Sequence, residues 1–182
     1  KKKKKVSGSG ALVKLLGPTT IDKNIEISNK GQFCDIRIGT SALPTSGQVR
    51  NALVIGHAAA PNLTSGSHNI AIGGCALNTA LKTVEQVAIG YKALCDSIGY
   101  AANYDTATST SSSDVAIGAH ASAKLTTGRQ TVSVGGYALY CGLSAFGSVA
   151  LGYTALRCAS GMANVAAGYK AGCNLGTGFC NR

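Results

Sequence analysis

Eight glycines punctuate this chain at a nearly constant interval. They fall at Gly39, Gly56, Gly73, Gly90, Gly118, Gly135, Gly152 and Gly168, separated by 17, 17, 17, 28, 17, 17 and 16 residues. The words around them are near copies: NIAIGGCAL at 69–77, QVAIGYKAL at 86–94 and SVALGYTAL at 148–156. A unit this short cannot enclose a core by itself. A sustained fixed period therefore demands an array in which each unit buries its apolar residues against the next.

The columns of that array carry the next inference. Three residues before each glycine stand Ile36, Leu53, Ile70, Val87, Val115, Val132, Val149 and Val165. One residue before it stand Ile38, Ile55, Ile72, Ile89, Ile117, Val134, Leu151 and Ala167. The position between is mostly small: Ala71, Ala88, Ala116, Ser133, Ala150 and Ala166. Alternation of this kind reads as a strand of period two with one face buried. We therefore expect the aliphatic pairs, apart from Ala167, to form the structural core ladder inside the array.

Beyond the glycine the pattern continues. Three residues on, Ala occupies every copy, from Ala42, Ala59, Ala76 and Ala93 to Ala121, Ala138, Ala155 and Ala171, and Leu43, Leu77, Leu94, Leu139 and Leu156 follow. An invariantly small column implies a tight contact, across a thin coil or against another chain. The Ala-Leu pair reads as a second short strand. The eight glycines belong at corners, because Gly accepts positive φ and close backbone approach. Stretches such as PTSGQ at 44–48, NLTSGS at 62–67 and KLTTGR at 124–129 carry the turn chemistry that closes each coil. The expected fold class is all-β: a parallel β-roll or solenoid of about eight 17-residue coils, with strands roughly 4.8 Å apart and a rod about 40 Å long. Glycine at a fixed phase and paired β-branched residues argue against a helical repeat.

Composition agrees with a slender interior. Aromatics are 5% and Trp is absent, while the apolar 45% is mostly Ala, Val, Ile and Leu. Large rings normally supply much of a thick core's buried area. The net charge is +10, and Lys1 to Lys5 contribute half of it. That run reads as a solvated tail. It has no interleaved aromatics for base stacking, so no specific nucleic-acid partner is expected. No window of 18 apolar residues occurs, so no membrane insertion is expected. The organisation is then a basic tail and N-terminal cap or lead-in over 1–34, repeats over 35–172 with a loop insertion around 96–113, and a C-terminal cap or start of a next segment over 173–182. The insertion is rich in Ser and Thr, and SIGYAA at 97–102 within it echoes the repeat. Insertions in repeat arrays emerge on one face and often carry partner contacts.

Reactive residues are sparse. The seven cysteines are Cys34, Cys75, Cys95, Cys141, Cys158, Cys173 and Cys180, with no CxxC pair to suggest a zinc site. Cys141 and Cys158 share a column of adjacent coils. Stacking would bring their Cα atoms to about 4.8 Å, within disulfide reach. The more ordinary reading is two small apolar fillers in a narrow coil, with the bridge as the sharper alternative. His57, His68 and His120 occupy different columns. Tyr91, Tyr153 and Tyr169 directly follow the glycine, and Tyr137 sits one place later. They read as rings packed along one edge of the rod, with a carbohydrate platform as the sharper alternative. Seven scattered acids, no GxSxG and no phosphate loop argue against an enzyme, and no cofactor or metal is expected.

These phrases, joined by TSG and TTG turns, resemble the repeats of phage tail fibres and large-DNA-virus fibres over about residues 35–172. They are also similar to the head repeats of trimeric autotransporter adhesins. The resemblance implies a left-handed parallel β-roll whose three chains associate as a homotrimer. It implies a structural fibre or spike on a virion, acting as a stiff spacer and attachment element. The partners would then be copies of itself, neighbouring virion proteins, and a host-surface receptor or glycan. The alternative is an adhesin head at a bacterial cell surface, although that repeat is usually shorter than 17 residues. A monomeric solenoid such as an ice-binding protein would favour regular TxT rows, which are missing.

Overall fold

The structure, a computed structural model, describes residues 35–43, 48–97, 113–126, 128–178 and 180. The basic tail and lead-in over 1–34, Cys34, nearly all of the SIGYAA echo and the Ser/Thr-rich centre of the insertion lie outside these residues.

Among the described residues eleven three-residue strands follow one another: β1 (Ile36–Ile38), β2 (Gln48–Arg50), β3 (Leu53–Ile55), β4 (Ser65–Ser67), β5 (Ile70–Ile72), β6 (Lys82–Val84), β7 (Val87–Ile89), β8 (Val115–Ile117), β9 (Val132–Val134), β10 (Val149–Leu151) and β11 (Val165–Ala167). The described residues contain no helix. The strands before the corner glycines, β1, β3, β5, β7, β8, β9, β10 and β11, stack in that order as one parallel sheet, so the rod makes about seven turns. Equivalent residues lie directly over one another: Ile55 pairs with Ile72, and Ile72 with Ile89. Val87 pairs with Val115 across the insertion, so the extra residues leave the ladder unbroken.

The second sheet differs from the sequence expectation. It is built from β2, β4 and β6, and isolated bridges Arg129–Phe146–Met162 continue a parallel pairing in later coils. The Ala-Leu segments are turns, not strands. Single left-handed residues create them: Cys75 and Leu77 in one coil have φ of 56° and 50°, and Tyr137 and Leu139 in another have 56° and 52°. A left-handed L-residue costs roughly 1–2 kcal/mol. Hydrogen bonds between coils offset that cost. Cys75 N–H donates to the His57 carbonyl and Leu77 N–H to the Ala93 carbonyl, at 3.0 and 3.1 Å. The corners are thus ladders too, bonded along the rod like the sheets.

The aliphatic pairs do not form the core. In the main sheet the central residue points inward: Val54, Ala71, Ala88, Ala116, Ser133 and Ala150 are fully buried. The flanking Ile36, Leu53, Ile70, Val87, Val115, Val132 and Val149, with Ile55, Ile72 and Ile89, are only half-buried, while Ile38, Ile117, Val134, Leu151 and Val165 are exposed. Facing the small column across the coil are the buried Ala and Leu of the turns, among them Ala76, Leu77, Ala93, Leu94, Ala138, Leu139, Ala155 and Leu156. The reason is volume. Period-two alternation says that neighbours face opposite ways, not which way is in. The coils filled from one side by Leu77, Leu94, Leu139 and Leu156 leave room only for Ala or Ser on the other, whereas Val54 fits where Ala60 replaces that Leu, so the branched flanking side chains are turned outward.

The corner glycines stand where expected, with φ between 125° and 134°. This region is essentially closed to side chains. A Cβ on Gly73 would also lie 2.6 Å from the Gly90 carbonyl oxygen. The close coil-to-coil approach of backbone therefore requires glycine at this corner from Gly39 to Gly152, while at Gly168, with no described coil beyond it, only the positive φ asks for it.

Candidate functional site

Three features run lengthwise along the rod, each made by one or more columns of the repeat. The first is the outward face of the main sheet. Its two aliphatic rows flank the buried small column, and their exposure reaches 53% at Ile38 and 40% at Leu151. Eight strands at roughly 4.8 Å give this stripe a length of about 34 Å. Surface apolar residues are ordinary when scattered, but a contiguous stripe marks a contact surface.

The second feature is an aromatic edge beside that face. Several of the corners after the glycines project side chains outward, and successive coils place rings there in sequence. Tyr91 meets His120 edge-on at 5.4 Å, and His120 stacks on Tyr137 at 4.8 Å. Tyr137 meets Tyr153 at 6.2 Å, and Tyr153 stacks on Tyr169 at 5.8 Å with ring planes 10° apart. Tyr140 joins from the far side of the turn, 5.3 Å from Tyr137. Cations sit over these rings. Lys92 lies 5.4 Å from Tyr91, Lys124 5.2 Å and Arg157 5.9 Å from Tyr140, and Lys170 5.1 Å from Tyr169. The interaction with Tyr91 also raises the pKa of Lys92. Between Tyr137, Tyr153 and Tyr169 the edge opens into a groove of about 410 Å³, completed by Thr154, Arg157 and Lys170.

The third feature is buried, and the column reading missed it. The residue just before each main strand is mostly polar: Asp35, Asn69, Gln86, Asp114, Thr131, Ser148 and Asn164. Most of these side chains are fully buried, and several bond to the next coil. Asp35 accepts from the Ala52 N–H at 2.9 Å, Asn69 from the Gln86 N–H at 3.1 Å, and Ser148 from the Asn164 N–H at 3.2 Å. Buried polar groups need such partners. Burial pushes the Asp114 carboxyl up to about 6, against the opposing pull of its hydrogen bonds to Thr131 and Gln86 and of the Arg129 charge. The signal was available in the sequence as a polar column one place before the aliphatic one.

Other candidates resolve individually. Cys141 and Cys158 are joined by a disulfide, with Cα atoms 4.7 Å apart. Burial, with the nearby Asp96 charge, pushes the Cys95 thiol up to about 11, so it stays protonated. His57 pairs through Nδ1 with the Thr40 hydroxyl at 2.9 Å, and His68 with Asn51 at 3.3 Å. Among the described residues no three His, Cys, Asp or Glu side chains converge as a metal site would require.

Among the described residues the stacked arrangement presents three surfaces and columns that run from coil to coil. No known family profile, curated protein or solved structure matches the chain.

Proposed function

We propose that this chain is a structural fibre or spike module of a virion, in which three copies associate along their aliphatic faces into a stiff spacer and attachment element. The observation that carries this reading is the outward orientation of the two aliphatic rows on one sheet face, with Ile38, Ile117 and Leu151 between 38% and 53% exposed. A second copy is the natural occupant, because the rows repeat at the coil spacing and a parallel neighbour meets the same spacing. Burying such side chains yields roughly 25 cal/mol per Å². The number of chains, the left-handed winding and the virion setting follow from the resemblance of the NIAIGGCAL-type repeats to viral fibre repeats. Stiffness follows from hydrogen bonding that runs along the rod at the corners as well as in the sheets.

Analytical ultracentrifugation of the purified chain tests this. The wild type is expected to sediment as a three-chain assembly. The Ile117→Lys/Leu151→Lys double variant is expected to sediment as a single chain with an unchanged circular dichroism spectrum, because neither side chain fills the coil interior. A wild type that stays a single chain at tens of micromolar overturns the reading.

A further inference from the structure

We propose that the groove formed by Tyr137, Tyr153, Tyr169, Thr154, Arg157 and Lys170 binds a carboxylate-bearing saccharide. This deepens the attachment role above and rests on that part of it, but not on self-association, since all six residues come from one chain.

Charge is the first argument. From Val115 to the end of the sequence there is no Asp or Glu, whereas Lys124, Arg129, Arg157, Lys170 and Arg182 all lie in that stretch. The cations at the groove therefore have no carboxylate in their own coils. Arg157 offers a planar fork suited to holding a carboxylate through two parallel hydrogen bonds. Lys170 supplies a compact charge over Tyr169.

Shape is the second. At about 410 Å³ the groove lies within the range of small-molecule sites, roughly 300–1,000 Å³. Its walls combine apolar ring surface with phenol hydroxyls, which suits a sugar's mixture of C–H faces and hydroxyl groups. Nucleobases fit less well. A base held between two rings needs about 6.8 Å, twice the 3.4 Å base rise, and Tyr153 and Tyr169 already stack at 5.8 Å.

Thr154 supplies an independent observation. It is 8% exposed, and its hydroxyl has no hydrogen-bond partner. An unsatisfied buried hydroxyl is costly. Thr154 is also held at φ 56°, where a β-branched residue is a genuine outlier. Lys92, His120, Tyr137 and Lys170 occupy the same corner position in other coils. A ligand hydroxyl reached by rotation of the threonine side chain would satisfy the orphaned group.

The test is NMR titration of the full chain, following the ring signals of Tyr153 and Tyr169 so that attraction to Lys1–Lys5 does not enter the readout. The probes are a hyaluronan tetrasaccharide and sialyllactose, with lactose and sodium acetate as controls. Saturable shifts with at least one acidic saccharide are expected, and which one responds identifies uronate or sialate as the source. Arg157→Gln/Lys170→Gln should weaken binding at least tenfold, whereas Lys124→Gln, outside the groove, should change it less than twofold. Equal shifts with acetate or lactose, equal loss in Lys124→Gln, or tighter binding of a thymidine oligonucleotide overturns the proposal. So does a changed sedimentation mass of the Arg157→Gln/Lys170→Gln variant, which assigns the groove to the contact between copies. A single-chain wild type that still binds saccharide leaves this site standing and removes only the assembly; an assembly without saccharide binding does the reverse.

Discussion

Asp114 holds Thr131 of the next coil twice: the Thr131 N–H and its hydroxyl both donate to Oδ1, at 3.0 and 2.8 Å. On the other side the Gln86 amide donates to Oδ2 at 3.3 Å. This carboxyl sits immediately after the insertion and ties together the two coils that flank it. Burial raises its pKa from 3.8 to about 6. The folded chain therefore binds a proton more tightly than the unfolded chain between those values. Linkage then gives stability that is fully present below pH 3.8 and declines as pH rises toward 6. The difference is on the order of 3 kcal/mol. Asp114→Asn keeps the acceptor for Thr131 and removes the buried charge. It should raise the thermal midpoint at pH 7 by several degrees and flatten the pH dependence between pH 4 and 6. Thermal scans of both proteins across that window check this, and a variant less stable at pH 7 contradicts it.

The small column and the aliphatic rows should respond oppositely to substitution. Leu94 and Ala88 are fully buried. Leu94→Ala removes interior contacts and should cost about 2–5 kcal/mol. Ala88→Leu overfills the coil and should cost at least 1–3 kcal/mol. Ile89→Ala, one residue away on the outward face, should leave single-chain stability within about 1 kcal/mol and weaken association instead. Denaturant midpoints combined with sedimentation separate the two effects.

That contrast also marks how far the sequence could be read. The 17-residue period set the stacking and the residue-over-residue register, because repetition in sequence becomes repetition in space. The direction of the strands' faces was not legible. IAI and VAI triplets alternate equally well with either face inward, and only the Leu columns, packed into the same narrow coil, decide between them. Reading Ala-Leu as a strand failed for a related reason. Propensity does not anticipate Leu77 or Leu139 at positive φ, since the compensating bonds come from neighbouring coils. The aromatic edge could be glimpsed from Tyr91, Tyr153 and Tyr169. The groove could not, because Arg157 and Lys170 come from different coils and Thr154 matters through a missing partner.

Glycine should prove indispensable at one corner and replaceable at another. Gly73 has φ 127°, and a side chain there would collide with the Gly90 backbone. Gly147 has φ 55° with open space around it. The position equivalent to Gly147 is held by His68, Glu85 and Gln130 in other coils, at φ 55–59°. Gly147→Ala should therefore cost only about 1 kcal/mol, the ordinary charge for a left-handed L-residue. Gly73→Ala should cost about 4 kcal/mol or more, in the range reserved for specific structural damage. Comparable midpoints for the two variants would contradict the corner geometry.

The Cys141–Cys158 bridge joins one coil to the next across a separation of 17 residues. Closing a loop of that length restricts the unfolded chain by roughly 3 kcal/mol on the entropic account. The Cys141→Ser/Cys158→Ser variant should accordingly lose up to about 3 kcal/mol of stability, with the loss confined to the coils around β9 and β10 if the array opens in parts. Hydrogen exchange along the chain locates it. Thiol labelling supplies a separate check in the wild type. Iodoacetamide at pH 8 without reductant should modify the exposed Cys180 and spare both Cys141 and Cys158. Cys95 should also resist, because its thiol is held protonated by burial and by the Asp96 charge, with a pKa of about 11. Labelling of Cys141 or Cys158 in the native, unreduced protein would show the pair to be two stacked thiols instead.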